Sequence, residues 1–263
     1  MIKNLKGYDI VYHCAATAHE GLSVFSPNFI TKNIYQASIS VITASIVNKV
    51  EKFVLPKTEG HKNYLSSLLK DDIVFCTGPA GTGKTYLAVA NAVSFLKTRK
   101  IEKIILSRPA VEAGGKIGVL PGDMKDKVDP YLRPIYDALH DMMPVDKVER
   151  KIASGEIEIA PLAFMRGRTL DNAFVILDEG QNTTHSQMKM FLTRMGKNAK
   201  FLITADPGQI DLPSRITSGI KEALLILKET DGIEIVRLND GDIIRNTLVK
   251  KIIDAYKNIE NTN

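Results

Sequence analysis

From residue 73 onward the chain alternates short apolar runs rich in β-branched and aromatic residues with stretches whose apolar residues fall three and four apart. The runs at 73–77, 104–107, 157–160, 173–177, 200–205 and 233–238 predict strands, and the spacing at 85–98, 186–195, 218–228 and 246–257 predicts helices. Apolar strands separated by crossover helices form a parallel sheet with helices against it, so the expected class is α/β. A long connection, 109–155, is rich in Gly, Pro and charge, with a helix expected at 132–141. Connections of that length in a compact domain usually carry function.

The first 54 residues follow a different rhythm, and Leu55-Pro56 sets them apart. Residues 8–16 read as a strand ending in small residues, 34–50 as a helix, and Lys52-Phe53-Val54 as the start of another strand, together a βαβ-like piece. The expected organisation is a short N-terminal α/β extension, 1–54, and a main domain, 55–263.

Composition narrows the classes. With 44% hydrophobic residues, 263 residues can bury a substantial core. A net charge of +5 and a pI of about 9.0 suit polyanionic partners, nucleotides or nucleic acid, although such a charge also serves solubility in a 29.0 kDa chain. Cys14 and Cys76 are far apart, Cys76 in an apolar run that expects a small buried residue, so no disulfide framework is implied. No signal-like N-terminus and no apolar stretch near the ~20 residues of a membrane span are present, which leads to the expectation of a cytoplasmic protein without membrane contact. His140 and His185 lack metal-spaced partners, so a zinc site is not expected.

The chemistry concentrates after the first strand of the main domain. Gly78-Pro79-Ala80-Gly81-Thr82-Gly83-Lys84-Thr85 matches G-x-x-x-x-G-K-[ST] between a predicted strand and a predicted helix. Glycines let successive backbone N–H groups face one anion, the helix N-terminus adds positive potential, Lys84 reaches the β- and γ-phosphates, and the Thr85 hydroxyl ligates Mg²⁺. The alternative, a glycine-rich turn at a structural helix start, does not require every fixed position to match. Mg²⁺ also needs a carboxylate, and the run 173–177 delivers Asp178 toward the metal and Glu179 toward an attacking water. A third run ends in Asp206-Pro207-Gly208-Gln209, where Gln209 either senses the γ-phosphate or sits in an exposed Pro-Gly turn. Arg245, before the last predicted helix, reads equally as an arginine finger reaching a neighbouring subunit or as a surface residue. Arg166 and Arg168 either contact phosphate or RNA or are solvated, and the 186–195 helix turns Met188, Phe191, Leu192 and Met195 to the core with Lys189 and Arg194 outside.

With these motifs, and with Asp178-Glu179-Gly180-Gln181, Ser107-Arg108-Pro109-Ala110-Val111-Glu112-Ala113-Gly114, Leu120-Pro121-Gly122-Asp123, Asp129-Pro130-Tyr131-Leu132-Arg133-Pro134, Gly167-Arg168-Thr169-Leu170 and the 187–194 segment, the chain closely resembles the PhoH family from about residue 55 to 257. The resemblance implies a RecA-like P-loop ATPase core related to superfamily 1 helicases, ATP and Mg²⁺ as cofactors, and a role around RNA or other nucleic acid. Where the family tends to carry a Gly-Gln pair that reads adenine, this chain has Gly60-His61, which cannot offer the bidentate amide pattern. Some relatives append an acidic nuclease domain; with the chain ending at Asn263, nuclease activity is not expected. The first 54 residues resemble the middle of an NAD-dependent epimerase, with His13-Cys14-Ala15-Ala16 at a strand end, but lack the dinucleotide loop and the Ser and Tyr-x-x-x-Lys residues. They read as a fusion remnant or as an unrelated α/β extension.

For single-stranded nucleic acid, 6% aromatic residues and no Trp leave Arg108, Lys116 and Arg133 with Tyr131 as the candidate surface. A single core would need a ring or another homo-oligomer to translocate. The expected function is Mg²⁺-dependent ATP hydrolysis acting on RNA or nucleic acid. The alternative is a nucleotide-dependent switch or assembly protein that hydrolyses negligibly.

Overall fold

The computed structural model describes residues 10–12, 52–54, 56–109, 124–213 and 215–244. Two short strands, β1 (Ile10–Tyr12) and β2 (Lys52–Val54), pair in parallel as a separate two-stranded sheet. Val54 is buried in the same cluster as Tyr64, Leu65 and Leu68 of helix α1 (Glu59–Lys70). The remaining strands, β3 (Ile73–Thr77), β4 (Lys103–Arg108), β5 (Ile157–Pro161), β6 (Ala173–Leu177), β7 (Lys200–Ala205) and β8 (Ile233–Arg237), form one six-stranded parallel sheet in the order β5-β4-β6-β7-β3-β8. This is a RecA-like α/β core. A single strand, β7, separates the strand that leads into the phosphate loop from the strand that ends at Asp178.

Alternation along the strands sends side chains to two apolar layers. Val74, Cys76, Ile104, Leu106, Phe174, Ile176 and Leu202 face the layer of α1, α2 (Lys84–Lys97), α3 (Met124–Met142) and α4 (Val145–Ala153). Phe75, Ile105, Val175, Leu177, Phe201 and Ile203 face α5 (His185–Leu192) and α6 (Gly219–Ile226). Cys76 is the small buried residue its apolar run requires, and burial pushes its thiol up to about 12. With every strand parallel, all the strand C-termini open on one edge, where α/β sheets place their ligands.

Four helical readings need correction. Helix α1 is absent from the sequence expectation although Thr58 caps it, accepting from the His61 N–H, and His61, Tyr64, Leu65 and Leu68 form its buried stripe. Two polar-capable residues in that stripe masked its period. Helix α3 begins at Met124, not 132, and runs through Pro130 and Pro134, because Leu132, Ile135, Leu139 and Met142 on one face are buried in the core. Helix α4, absent from the sequence expectation, lies in the same connection and is anchored by buried Val148. Helix α5 stops at Leu192, short of 195, where Thr193 returns its N–H to the Lys189 carbonyl. The expected helices at 34–50 and 246–257, and Cys14, lie outside the described residues. No helix among the described residues is long and apolar enough to cross a membrane.

Candidate active site

The phosphate loop is built between three strand ends. Gly78 donates its N–H to Ala205 O at 3.1 Å, and Leu238 donates to Thr77 O at 2.7 Å. Gly78 has φ +154°, and a Cβ there would lie 2.6 Å from Leu238 O, so only glycine lets the loop leave β3 beside the end of β8. Buried Thr82 ties the loop internally, its hydroxyl donating to Pro79 O at 2.9 Å. Ile244 donates to Gly81 O at 3.0 Å, which brings the chain after β8 against the loop. His61, 2% exposed, braces it from α1: the Lys57 N–H donates to Nδ1 at 3.3 Å, which leaves the proton on Nε2 to donate to Thr82 O at 2.9 Å. Both ring nitrogens are therefore occupied by backbone, and His61 has no free atom with which to read a base.

Lys84 opens α2, and its ammonium donates to Gly78 O at 2.6 Å and Pro79 O at 2.9 Å. Burial holds its pKa below the ordinary lysine value, opposed by the carboxylates of Asp206, Glu179 and Asp178. Next to it, Thr85 donates its hydroxyl to Asp178 Oδ1 at 2.7 Å, and Thr204 donates to the same oxygen at 2.6 Å. Asp178 is 3% exposed, and its N–H donates to Ser107 O at 2.8 Å. Two hard oxygens, Thr85 Oγ1 and Asp178 Oδ1, thus meet beside the loop, a donor pair that fits Mg²⁺ completed by phosphate and water.

Glu179 follows in the left-handed region, φ 56°, which turns its carboxylate away from the strand and into the cleft. Its Oε1 lies 3.4 Å from Arg108 Nη2, while Arg108 Nη1 is 3.9 Å from Asp178 Oδ2. Gln181, fully buried, bridges the ends of β6 and β7. Its amide nitrogen donates to Glu179 Oε2 and, at 3.1 Å, to Gln209 O, while its amide oxygen accepts from Asp206 N at 2.9 Å. Asp206 closes the adjoining turn, accepting from Gly208 N on Oδ1 at 2.9 Å.

Ala80, Gly81, Gly83, Lys84, Thr85, Asp178, Glu179, Asp206 and Gln209 line one cleft of about 270 Å³. The fold therefore brings Lys84, Thr85, Asp178, Glu179 and Gln209 to one cleft, and Gln209 is exposed at its wall. Arg168 belongs elsewhere. Its guanidinium makes a bidentate pair with Glu158 at 2.6 and 2.7 Å, which holds the Glu158 carboxyl below the usual carboxylate range; the pair is partly exposed, and Arg168 does not line the cleft. Arg194 is half-buried rather than outside, donating to Met190 O and Arg168 O. Arg166 is exposed. Arg245 and Lys116 lie outside the described residues. Sequence reasoning missed Thr204, Gln181 and Arg108 as members of the site; the signals present were a threonine inside an otherwise apolar strand and a glutamine two residues after Glu179.

The pattern of the PhoH-like protein family matches residues 53–257. A PhoH-like protein of Bacillus subtilis (strain 168) is 52% identical over 251 residues, an alignment taking in 94% of this chain and 74% of that protein. A PhoH-like protein of Mycobacterium tuberculosis (strain ATCC 25618 / H37Rv) is 50% identical over 225 residues, 86% of this chain and 64% of that one. Protein PhoH of Escherichia coli (strain K12) is 40% identical over 205 residues, 77% and 58% respectively. The chain thus spans about three quarters of the Bacillus relative and under two thirds of the other two. Among solved structures, the large terminase of a thermophilic bacteriophage aligns with a TM-score of 0.44 at 15% identity, covering 71% of this chain and 45% of that one. The Pif1 helicase of Candida albicans aligns at 0.39 and 14%, covering 76% and 43%.

Proposed function

The chain belongs to the PhoH-like protein family, and from that premise and the cleft geometry we propose that it is an ATPase that hydrolyses MgATP and couples turnover to single-stranded RNA or other nucleic acid. The observation that carries the reading is the meeting of Thr85 and Asp178 at 2.7 Å inside a cleft that Lys84, Glu179 and Gln209 also line. Residues Gly78, Pro79, Ala80, Gly81, Thr82 and Gly83 wrap the phosphates with backbone N–H groups at the N-terminus of α2. Lys84 balances charge on the β- and γ-phosphates. Thr85 and Asp178 hold Mg²⁺, which when bound neutralises phosphate charge.

Glu179 orients a water and takes up its proton as the water oxygen bonds to the γ-phosphorus. The bond from that phosphorus to the β–γ bridging oxygen breaks, releasing ADP and phosphate. Gln209 senses the γ-phosphate from the cleft wall. Arg245 acts across an interface with a second copy, which makes a homo-oligomer the working form. A net charge of +5 supports a polyanionic partner.

The test is ATP turnover by the purified chain with Mg²⁺, with and without single-stranded RNA. Turnover that RNA stimulates and that Lys84→Ala abolishes supports the reading. Nucleotide binding without turnover, in either condition, would favour a nucleotide-dependent switch instead.

A further inference from the structure

Arg108 approaches the two acidic residues from outside the nucleotide cleft. It stands at the C-terminal end of β4, beside the end of β6, and is not among the cleft-lining residues. One arm of its guanidinium lies 3.4 Å from Glu179 Oε1, the other 3.9 Å from Asp178 Oδ2. The second oxygen of Glu179 accepts from the Gln181 amide. Both oxygens of the carboxylate proposed to orient water are therefore engaged by protein groups, one of them a cation on a neighbouring strand.

We infer that Arg108 is a positioning residue that restrains Glu179, and that a nucleic-acid phosphate reaching the end of β4 draws Arg108 away and frees the carboxylate for water. The inference rests on the ATPase reading above. The guanidinium fork matches phosphate as well as it matches carboxylate, so a phosphodiester competes for it directly. A net charge of +5 concentrates polyanions near the chain. The end of β4 also has one loose point. Ser107, whose carbonyl accepts the Asp178 N–H at 2.8 Å, has a buried hydroxyl without a hydrogen-bond partner among the described residues, so a shift here need not break a bond of that side chain. Asp178 and Arg108 are thus linked through backbone and through charge, and a displacement of β4's end is felt at the metal-side carboxylate.

The experiment compares wild type, Arg108→Ala, Arg108→Gln and Arg108→Lys in steady-state ATP turnover with Mg²⁺, with and without poly(U). Removing a partly exposed ion pair predicts a basal kcat raised about fivefold in Arg108→Ala, with KM for ATP unchanged and no further gain from poly(U). Arg108→Gln, closer in size and safer for folding, carries the same expectation, and Arg108→Lys restores the low basal rate. A basal kcat equal to or below wild type in both neutral variants overturns the inference while leaving the ATPase reading intact. A raised basal rate in the variants with no poly(U) effect on wild type overturns the nucleic-acid part. A wild-type chain that binds ATP but never turns it over overturns both.

Discussion

Replacing Gln181 with Met keeps the volume of the side chain and removes all of its polarity, which isolates the bridge between the ends of β6 and β7. In the native arrangement the amide oxygen accepts from Asp206 N at 2.9 Å, and the amide nitrogen donates to Gln209 O at 3.1 Å and to Glu179. The residue is fully buried, so water does not take over these roles without opening the site. Two neutral hydrogen bonds at about 1 kcal/mol each and one to a carboxylate at about 1.5–3 give a loss of roughly 3 kcal/mol, allowing for partial relaxation. For a domain of this size that lowers Tm by about 6–12 °C. Thermal and urea unfolding followed by circular dichroism read the stability, and ATP turnover reads the looser Glu179. Gln181→Glu, of the same shape but placing a second carboxylate against Glu179, should lose more than Gln181→Met. A Gln181→Met protein with Tm within about 2 °C of wild type and full turnover would refute the bridge.

Gly78→Ala should lose about 3 kcal/mol and nucleotide binding together, because its Cβ meets Leu238 O at 2.6 Å with φ +154°; equilibrium binding of a fluorescent ATP analogue checks it. His61→Phe, which leaves the Thr82 carbonyl without its donor, should weaken MgATP binding about three- to tenfold without changing which nucleoside triphosphate is preferred; competition binding among the four common nucleotides measures both. Arg168→Ala should cost about 1 kcal/mol at neutral pH, the pair with Glu158 being partly exposed. The Glu158 carboxyl is depressed chiefly by its hydrogen bond from Arg168, so the contribution is present above the ordinary carboxylate pKa of 4.5 and disappears as pH falls through the lower folded value. Urea unfolding of both proteins at pH 7 and at pH 3 should show the gap narrow.

What could be read from sequence was what is local in it. The loop from Gly78 to Thr85 carries its fixed positions within eight residues, and the strands announce themselves as apolar runs, so the sheet and the phosphate site were legible together. Asp178 was legible because it ends one such run, although Thr85, the group it meets, lies 93 positions away. Arg108 and Gln181 looked like parts of a motif, and their roles depend on which strands become neighbours: β4 lies beside β6, and β6 beside β7. His61 was weighed as a base reader because its sequence neighbourhood says nothing of Thr82, 21 residues on, whose carbonyl its ring meets. Helix α3 starts well before the expected 132 and runs through Pro130 and Pro134, where burial of Leu132, Ile135 and Leu139 outweighs the local cost of proline.

The most direct measurement of the central claim separates binding from chemistry in Glu179→Gln. ATP affinity with Mg²⁺ by isothermal titration calorimetry and ADP release under saturating ATP should be taken on the same preparations. The account predicts that the variant binds ATP within about threefold of wild type and turns it over at least ~100-fold more slowly. Turnover by Glu179→Gln at the wild-type rate would contradict the account.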